Sequence, residues 1–234
     1  MHIFSQERQT RGTPLRLVRK VPSSCDSRFG YIQGHLNLLS GQTHQTSVDS
    51  LPGTVVNGSV IANLNPVDDD CTKEAVVRMT SKNVGDLLNA KNVTWGWFYA
   101  DFDPVATVNG VAQCDSIYNA HYAPFQYWAS TANPHHLPPS SPDMIGQTDQ
   151  ANHQYSLATL WNMVANGGTL PAVTFLKATT SQTGHPADST PLAEQAFLVQ
   201  TINFLESLRS GATWRSSSPM MTQMVGTTMS CRLS

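Results

Sequence analysis

The sequence predicts an α/β domain in which a mostly parallel sheet, incomplete at both ends, is covered by helices. Apolar runs of strand length alternate with helical periods through the middle of the chain, which is typical of parallel sheets. The 234 residues, 40% of them hydrophobic, suffice for one such domain with a sizeable core. No apolar run approaches the length of about 20 residues that a transmembrane segment needs, and no signal peptide is visible.

The first predicted unit is a short helix followed by a strand. Ser81 is a candidate N-cap, and the apolar residues after it fall on one helical face (Val84, Leu87, Leu88). The helix leads into Val93–Phe102, an aromatic and β-branched run of strand length. This unit supplies a buried strand near the middle of the chain.

The second unit repeats this order from about Asp149 onward. Its apolar residues recur at helical spacing (Leu157, Leu160, Trp161, Val164). Asn166, Gly167 and Gly168 follow as a C-cap, and Pro171–Ala178 is a second strand. A third helix is expected after Thr190 as N-cap, with Pro191 at its first position. Its buried stripe is Leu198, Ile202 and Leu205.

Charge divides the chain into three segments. Residues 1–28 hold six basic and two acidic side chains, residues 209–234 hold three basic and none acidic, and residues 29–208 carry a net charge of −9. The two ends show no helical or strand period, so the folded domain is expected between two irregular tails. The overall net charge of −2 gives no electrostatic reason to expect nucleic acid as a partner.

Two histidines are the best candidates for chemistry. His185 lies in a Gly/Pro/Ser-rich loop just after the second strand, at the sheet edge where ligands of parallel sheets bind. His121 precedes a proline and an aromatic cluster, and on its own a structural role is the more frequent one. One of the adjacent pair His135 and His136 is expected to be structural, and His153 is expected as a partly exposed helix residue.

The remaining polar clusters carry no reaction by themselves. Asp68, Asp69 and Asp70 lack the ligand spacing of a calcium loop and are expected to form a solvated turn. Cys71 and Cys114 bracket the first helix–strand unit and could form a disulfide in an oxidising compartment. No nucleotide-binding, zinc-protease or serine-hydrolase motif occurs in the sequence.

Several long segments resemble a known family. They are GHLNLLSGQT, NAKNVTWGWFYADF, HYAPFQYWASTANPHHLPP, IGQTDQANHQYSL, LPAVTFLKA and GHPADSTPLAEQ. In this order they resemble the bacterial phosphoesterase family of acid phosphatases and phospholipases C, over roughly residues 29–208. The resemblance implies an alkaline-phosphatase-like α/β fold and hydrolysis of small-molecule or phospholipid phosphate esters. It also implies a divalent metal as a candidate cofactor, export to the periplasm or medium, and with export a Cys71–Cys114 disulfide.

The resemblance carries two site residues over to this chain. His185 matches the family's loop histidine that lines the phosphate pocket, and His121 matches the histidine before the APFQYW-like motif, where Tyr122 replaces the second histidine of a pair. The family's Glu-Asn pair has no counterpart, and Phe29–Gln33 replace the turn in which the nucleophile is expected. The alternative to an active phosphoesterase is therefore a catalytically inactive fragment that binds phosphate ligands weakly.

The family's Asp-Asp motif is missing as protein but readable in a shifted frame. The codons for Met220 to Val225 read ATG ATG ACN CAR ATG GTN. Moved by one base, the same string reads NAT GAT GAC NCA RAT GGT, which encodes Asp-Asp and then Gly. Residues 209–234 are thus expected to be an out-of-frame tail. The loss of the in-frame segment is expected to remove a strand and leave an edge of the sheet unpaired.

Overall fold

The structure, a computed structural model, describes residues 2–7, 31–47, 54–72, 76–185, 188–207 and 213–217. These residues include four helices: α1 (Tyr31–Ser40), α2 (Val84–Asn89), α3 (Leu157–Ala165) and α4 (Pro191–Ser207). They also include eleven strands: β1 (His2–Glu7), β2 (Val55–Val56), β3 (Ser59–Val60), β4 (Asn65–Pro66), β5 (Val76–Val77), β6 (Trp95–Tyr99), β7 (Ala106–Val108), β8 (Val111–Gln113), β9 (Gln154–Ser156), β10 (Val173–Lys177) and β11 (Thr213–Ser217).

The main sheet has five strands in the order β11–β1–β10–β6–β9. Strands β10, β6 and β9 are parallel to one another, whereas β1 runs antiparallel to both β10 and β11. The other strands form two-stranded pairs, β2 with β3, β4 with β5 and β7 with β8. The predicted α/β class is confirmed, and the sheet is mixed, with its parallel strands at the centre and at one edge.

Strand β6 lies between two apolar layers, and all five of its residues are buried. Trp95, Trp97 and Tyr99 belong to the core cluster that also contains the buried stripe of α1 (Ile32, Leu36, Leu39). Phe98 belongs to the opposite cluster, with residues of α3 and α4. Alternate side chains of a strand point to opposite faces, so this aromatic run fills both layers at once.

The predicted elements are found with some boundaries corrected. α2 is capped by Asn83 and not by Ser81, because Asn83 and Asp86 form a reciprocal capping box. The helix expected from Asp149 begins only at Leu157, since β9 occupies the residues before it and Ser156 is the N-cap. Thr190 caps α4 as predicted, accepting from the Ala193 amide through Oγ1 at 3.2 Å.

Both ends contain strands where irregular tails were expected. β1 lies within residues 1–28 and β11 within residues 209–234, and the pairing of β1 with β10 covers the edge that was expected to be open. These two short segments form their backbone pairs through tertiary contact, which a local period does not reveal. Residues 8–30 and 218–234, with Cys25 and Cys231, lie outside the described residues.

Two predictions for polar residues are wrong. His153 is buried and not a partly exposed helix residue: its ring stacks on Trp95, and Nδ1 contacts the Trp95 carbonyl oxygen at 3.0 Å. The aspartates after Val67 do not form a solvated turn. Asp69 is only 5% exposed, Asp68 pairs with Arg78, and Asp70 accepts from the Ala112 amide at 2.9 Å.

The Cys71–Cys114 disulfide is confirmed, with its Cα atoms 5.6 Å apart. It connects the segment after β4 to the residue after β8, across a sequence separation of 43. In the chain-entropy model a loop of this length stabilises the fold by about 4 kcal/mol. Among the helices that the structure describes, none combines the length and the apolar character needed to cross a membrane.

Candidate functional site

The carboxyl ends of β6 and β10 carry a cluster of ionisable side chains. Lys177 is the last residue of β10 and pairs in register with Tyr99, the last residue of β6. The Ala100 amide donates to the Lys177 carbonyl oxygen at 3.1 Å, so the two strand ends stay together. This is the sheet edge at which parallel α/β proteins bind their ligands.

Lys177 is a buried cation, with a residue exposure of 4%. Its Nζ lies 3.8 Å from the centre of the Tyr122 ring. Burial lowers the pKa of the ammonium to about 7, against the opposing charges of Glu194, Asp101 and Asp188. The salt bridges found within the described ranges do not include Lys177, so a ring face, and not a carboxylate, contacts its charge.

His121 lies in a single 3₁₀ turn, Ala120–Tyr122, beside this lysine. Asn119 caps the turn, because its side-chain oxygen accepts from the His121 amide at 3.0 Å and its own amide donates to the Tyr99 hydroxyl at 3.1 Å. Burial lowers the pKa of the His121 imidazole. Its Nε2 is buried and has no hydrogen-bond partner among the residues described, which leaves that nitrogen available to a ligand.

His35 on α1 is a further histidine of this cluster, and it is completely buried. Burial lowers the pKa of its imidazole well below the ordinary value, and the charge of Lys177 lowers it further. Its ring meets the Tyr122 ring edge-on, with the centroids 6.5 Å apart. At neutral pH His35 is therefore an uncharged ring beside the lysine.

His185 joins the cluster through Asp188. Its Nδ1 lies 3.1 Å from Asp188 Oδ2, and the Tyr122 hydroxyl donates to the same oxygen at 3.0 Å. The loop turns at Gly184, which has a φ of +71° and whose amide donates to Ser189 Oγ at 2.7 Å. Tyr122 thus connects the His185 loop with Lys177, since its hydroxyl reaches one and its ring covers the other.

The structure brings both sequence-predicted histidines to one edge of the sheet and adds residues that the sequence analysis missed. His121 and His185 are linked by the side chain that follows His121 and by Asp188. Lys177 and His35 were not singled out from the sequence. The signal for Lys177 was available, because a charged residue at the end of an otherwise apolar strand is unusual.

The donor set at this edge does not match a divalent metal site. Across the residues whose side chains are described, the one group of three donors close enough to share an ion is Cys71, Cys114 and His136, and its two sulfurs form the disulfide. The buried ammonium of Lys177 disfavours a second cation, while the charges of Glu194, Asp101 and Asp188 act on it from the surroundings. The arrangement can accept an anionic group instead, with Lys177 as its counter-charge and imidazoles that can exchange protons.

Comparison with known proteins identifies the family of the chain. The model of the Phosphoesterase family matches residues 28–217, somewhat beyond the expected 29–208 at both ends. No curated protein sequence matches the chain. The family match spans most of the chain and contains every residue of the cluster at the ends of β6 and β10. The chain therefore belongs to the phosphoesterase family, a family of hydrolases that act on phosphate esters.

Proposed function

We propose that the cluster around Lys177 binds the phosphoryl group of a phosphate ester, in a hydrolase of the acid phosphatase or phospholipase C type. The observation that carries the proposal is the buried ammonium of Lys177, which the described residues contact with a tyrosine ring and with no carboxylate. Burying a cation without a contacting counter-ion is costly, and a bound anion relieves that cost. Phosphoryl transfer depends mainly on such electrostatic positioning.

The two predicted histidines support the same role. His121 offers a buried nitrogen that is unoccupied within the described part of the chain. His185 is oriented by Asp188, in the way a carboxylate orients a general acid or base. In the proposed pocket Lys177 neutralises the negative charge of the phosphoryl group. The imidazoles act as general acid or base toward the transferring group and the leaving group.

A second candidate is a phosphate-binding chain with little turnover. The sequence has no counterpart of the family's Glu-Asn pair, its nucleophile turn or its Asp-Asp motif. Groups that act together in phosphoryl transfer lose most of their effect when some are missing. Under this second candidate, the chain binds phosphate and hydrolyses esters poorly.

Binding of inorganic phosphate, measured by isothermal titration calorimetry, tests the pocket directly. Lys177→Met should weaken binding at least about tenfold, because it removes the counter-charge while keeping the apolar stem. Lys91→Met changes an exposed lysine that precedes β6, at the amino end of that strand and not at its carboxyl end, and it is the matched control. Equal phosphate affinities in the wild type and Lys177→Met would rule out this pocket.

Turnover separates the two candidates. A chromogenic phosphate monoester and a phosphorylcholine ester distinguish the phosphatase type from the phospholipase type. Hydrolysis that disappears in His185→Ala favours an active enzyme, whereas phosphate binding without hydrolysis favours the second candidate. We also place the working compartment outside the cytoplasm, a proposal that the disulfide supports because such bonds persist in oxidising environments.

A further inference from the structure

A buried histidine, His136, lies beside the disulfide. His136 Nδ1 contacts the Phe102 carbonyl oxygen at 2.7 Å, and Nε2 contacts Asp69 Oδ1 at 3.0 Å. The Phe102 ring stacks on the imidazole, with the ring centroids 4.3 Å apart. The side chains of His136 and Asp69 are both completely buried.

Both nitrogens of His136 therefore face hydrogen-bond acceptors. A carbonyl oxygen can only accept, so Nδ1 must carry a proton. Asp69 accepts from the Tyr118 hydroxyl at 2.5 Å and from the Cys71 amide at 2.9 Å, and it contacts Nε2 of the ring at 3.0 Å. These contacts hold the ring with its Nδ1–H on the side of Cys114 Sγ.

The two sulfurs of the disulfide have different neighbours. Cys114 Sγ lies 3.8 Å from His136 Nδ1, the protonated nitrogen. Cys71 Sγ lies 3.9 Å from the Ala112 carbonyl oxygen. An N–H donor stabilises a neighbouring thiolate, whereas a carbonyl oxygen, which only accepts, favours a protonated thiol. The environment thus assigns different protonation states to the two cysteines once the bond is broken.

We propose that Cys71–Cys114 is a thiol–disulfide exchange site in which Cys114 is the leaving thiolate. The thiolate of a small-molecule thiol attacks Cys71 Sγ, the S–S bond breaks, and its electron pair stays on Cys114 Sγ beside the His136 Nδ1–H. A second thiolate attacks the mixed disulfide, releases the oxidised small-molecule disulfide, and leaves Cys71 to take up a proton. Two small thiols are oxidised while one protein disulfide is reduced.

Several ionisable groups of the described residues adjoin this site. Asp69 contacts His136 Nε2, and the Tyr118 ring meets the imidazole edge-on while its hydroxyl donates to Asp69. On the outer side, His135 contacts Asp70, which also accepts from the amide of Ala112. The His135 side chain is 53% exposed, so solvent screens its interactions with the site.

The test compares the two cysteines in one chain. The protein is reduced, alkylated with iodoacetamide over a range of pH, and analysed peptide by peptide by mass spectrometry. Cys114 should react about tenfold faster than Cys71 at neutral pH, with a rate midpoint below the ordinary thiol value of about 8.5. Brief exposure of the oxidised protein to limiting glutathione should place the mixed disulfide on Cys71.

Two matched variants test whether His136 causes the faster alkylation of Cys114. His136→Asn removes the imidazole Nδ1–H that lies beside Cys114 Sγ, so the rate advantage of Cys114 should disappear. His135→Asn removes the neighbouring exposed histidine and should leave that advantage intact. Equal alkylation of the two cysteines in the wild type, or glutathione on Cys114, would overturn the proposal, as would an undiminished Cys114 rate in His136→Asn. The readouts do not involve phosphate esters, so they stand apart from the proposed function.

Discussion

In the proposed pocket, Lys177 would couple the binding of an anion to the uptake of a proton. Burial lowers the pKa of its ammonium to about 7, so near neutral pH only part of the population is charged. A bound dianion favours the charged form and raises that pKa. Binding and protonation are therefore linked, and each strengthens the other.

We accordingly predict that oxyanion affinity falls as pH rises. With sulfate, whose own charge is constant between about pH 6 and about pH 9, affinity should decrease by up to about tenfold per pH unit above pH 7. The reason is that free Lys177 loses its proton and must regain it to bind. Calorimetry in two buffers of different ionisation enthalpy would show the proton uptake.

The same titration on Lys177→Met is the control and should show weak binding without this pH dependence. A wild-type affinity that stays constant across the range would mean that the Lys177 proton is not involved in binding.

At the level of elements, the loop between β10 and α4 holds His185 in place through one glycine. Gly184 has a φ of +71°, and a Cβ there would collide with the carboxylate of Glu194 in the first turn of α4. The loop and the start of the helix are therefore in close contact at the residue before His185. A side chain at position 184 must therefore displace the side chain of Glu194.

We predict that Gly184→Ala destabilises the fold by about 1 to 2 kcal/mol and weakens phosphate binding. Backbone strain at a positive φ sets that scale, and the Glu194 side chain must move aside because its carboxylate lies where the new Cβ would be. Denaturant unfolding followed by far-UV circular dichroism measures the stability.

Gly167→Ala is the matched control, since its φ is +76° but a Cβ there would meet no atom within 4 Å. It should cost about 1 kcal/mol and leave phosphate affinity unchanged. Equal effects of the two substitutions on stability and binding would contradict the role given to the Gly184 contact.

The elements that could be predicted from sequence are those with local signals. α3, α4, β6 and β10 have apolar periods of adequate length and recognisable caps or breakers. β9 has three residues, too few for a period, and it exists because Gln154–Ser156 pairs with β6. α1 is not among the helices predicted from the sequence, although its buried residues Ile32, Leu36 and Leu39 follow helical spacing.

The candidate site was predictable only in part, because several of its residues have no local signal in the sequence. His185 was located by its loop, since the position after a buried strand is readable from sequence. His35 and Lys177 become site residues through tertiary packing, which brings α1 and the end of β10 to the same tyrosine ring. His136 also depends on tertiary contact, because Asp69 is distant from it in sequence.

For the molecule as a whole, the reading frame is the main open proposal. We infer that the coding DNA changes frame near the Leu208 codon, on the basis of the Asp-Asp motif that is readable after a one-base shift at Met220–Val225. β11 lies within this segment and pairs with β1. The segment therefore contains a strand, contrary to the expectation of an irregular tail. The family match also extends to residue 217.

Restoring the frame should raise phosphoesterase turnover. A single-base change after the Leu208 codon is expected to open a frame through the Asp-Asp motif and to supply carboxylates to the site. Hydrolysis of a chromogenic phosphate monoester by the two proteins is the measurement. A stop codon within the first shifted codons, or equal turnover of the original and restored chains, would contradict the inference.

The two-sided burial of β6 has a consequence for hydrogen exchange. Its backbone is paired with β10 on one side and β9 on the other, and its side chains fill both apolar layers. Local opening of this strand would break both layers, so its amides can exchange only when the whole fold unfolds. Native-state deuterium exchange should therefore find the slowest amides at Trp97 and Phe98 and faster ones in the β7–β8 hairpin. The strand that ends at the candidate site would be the last part of the protein to open.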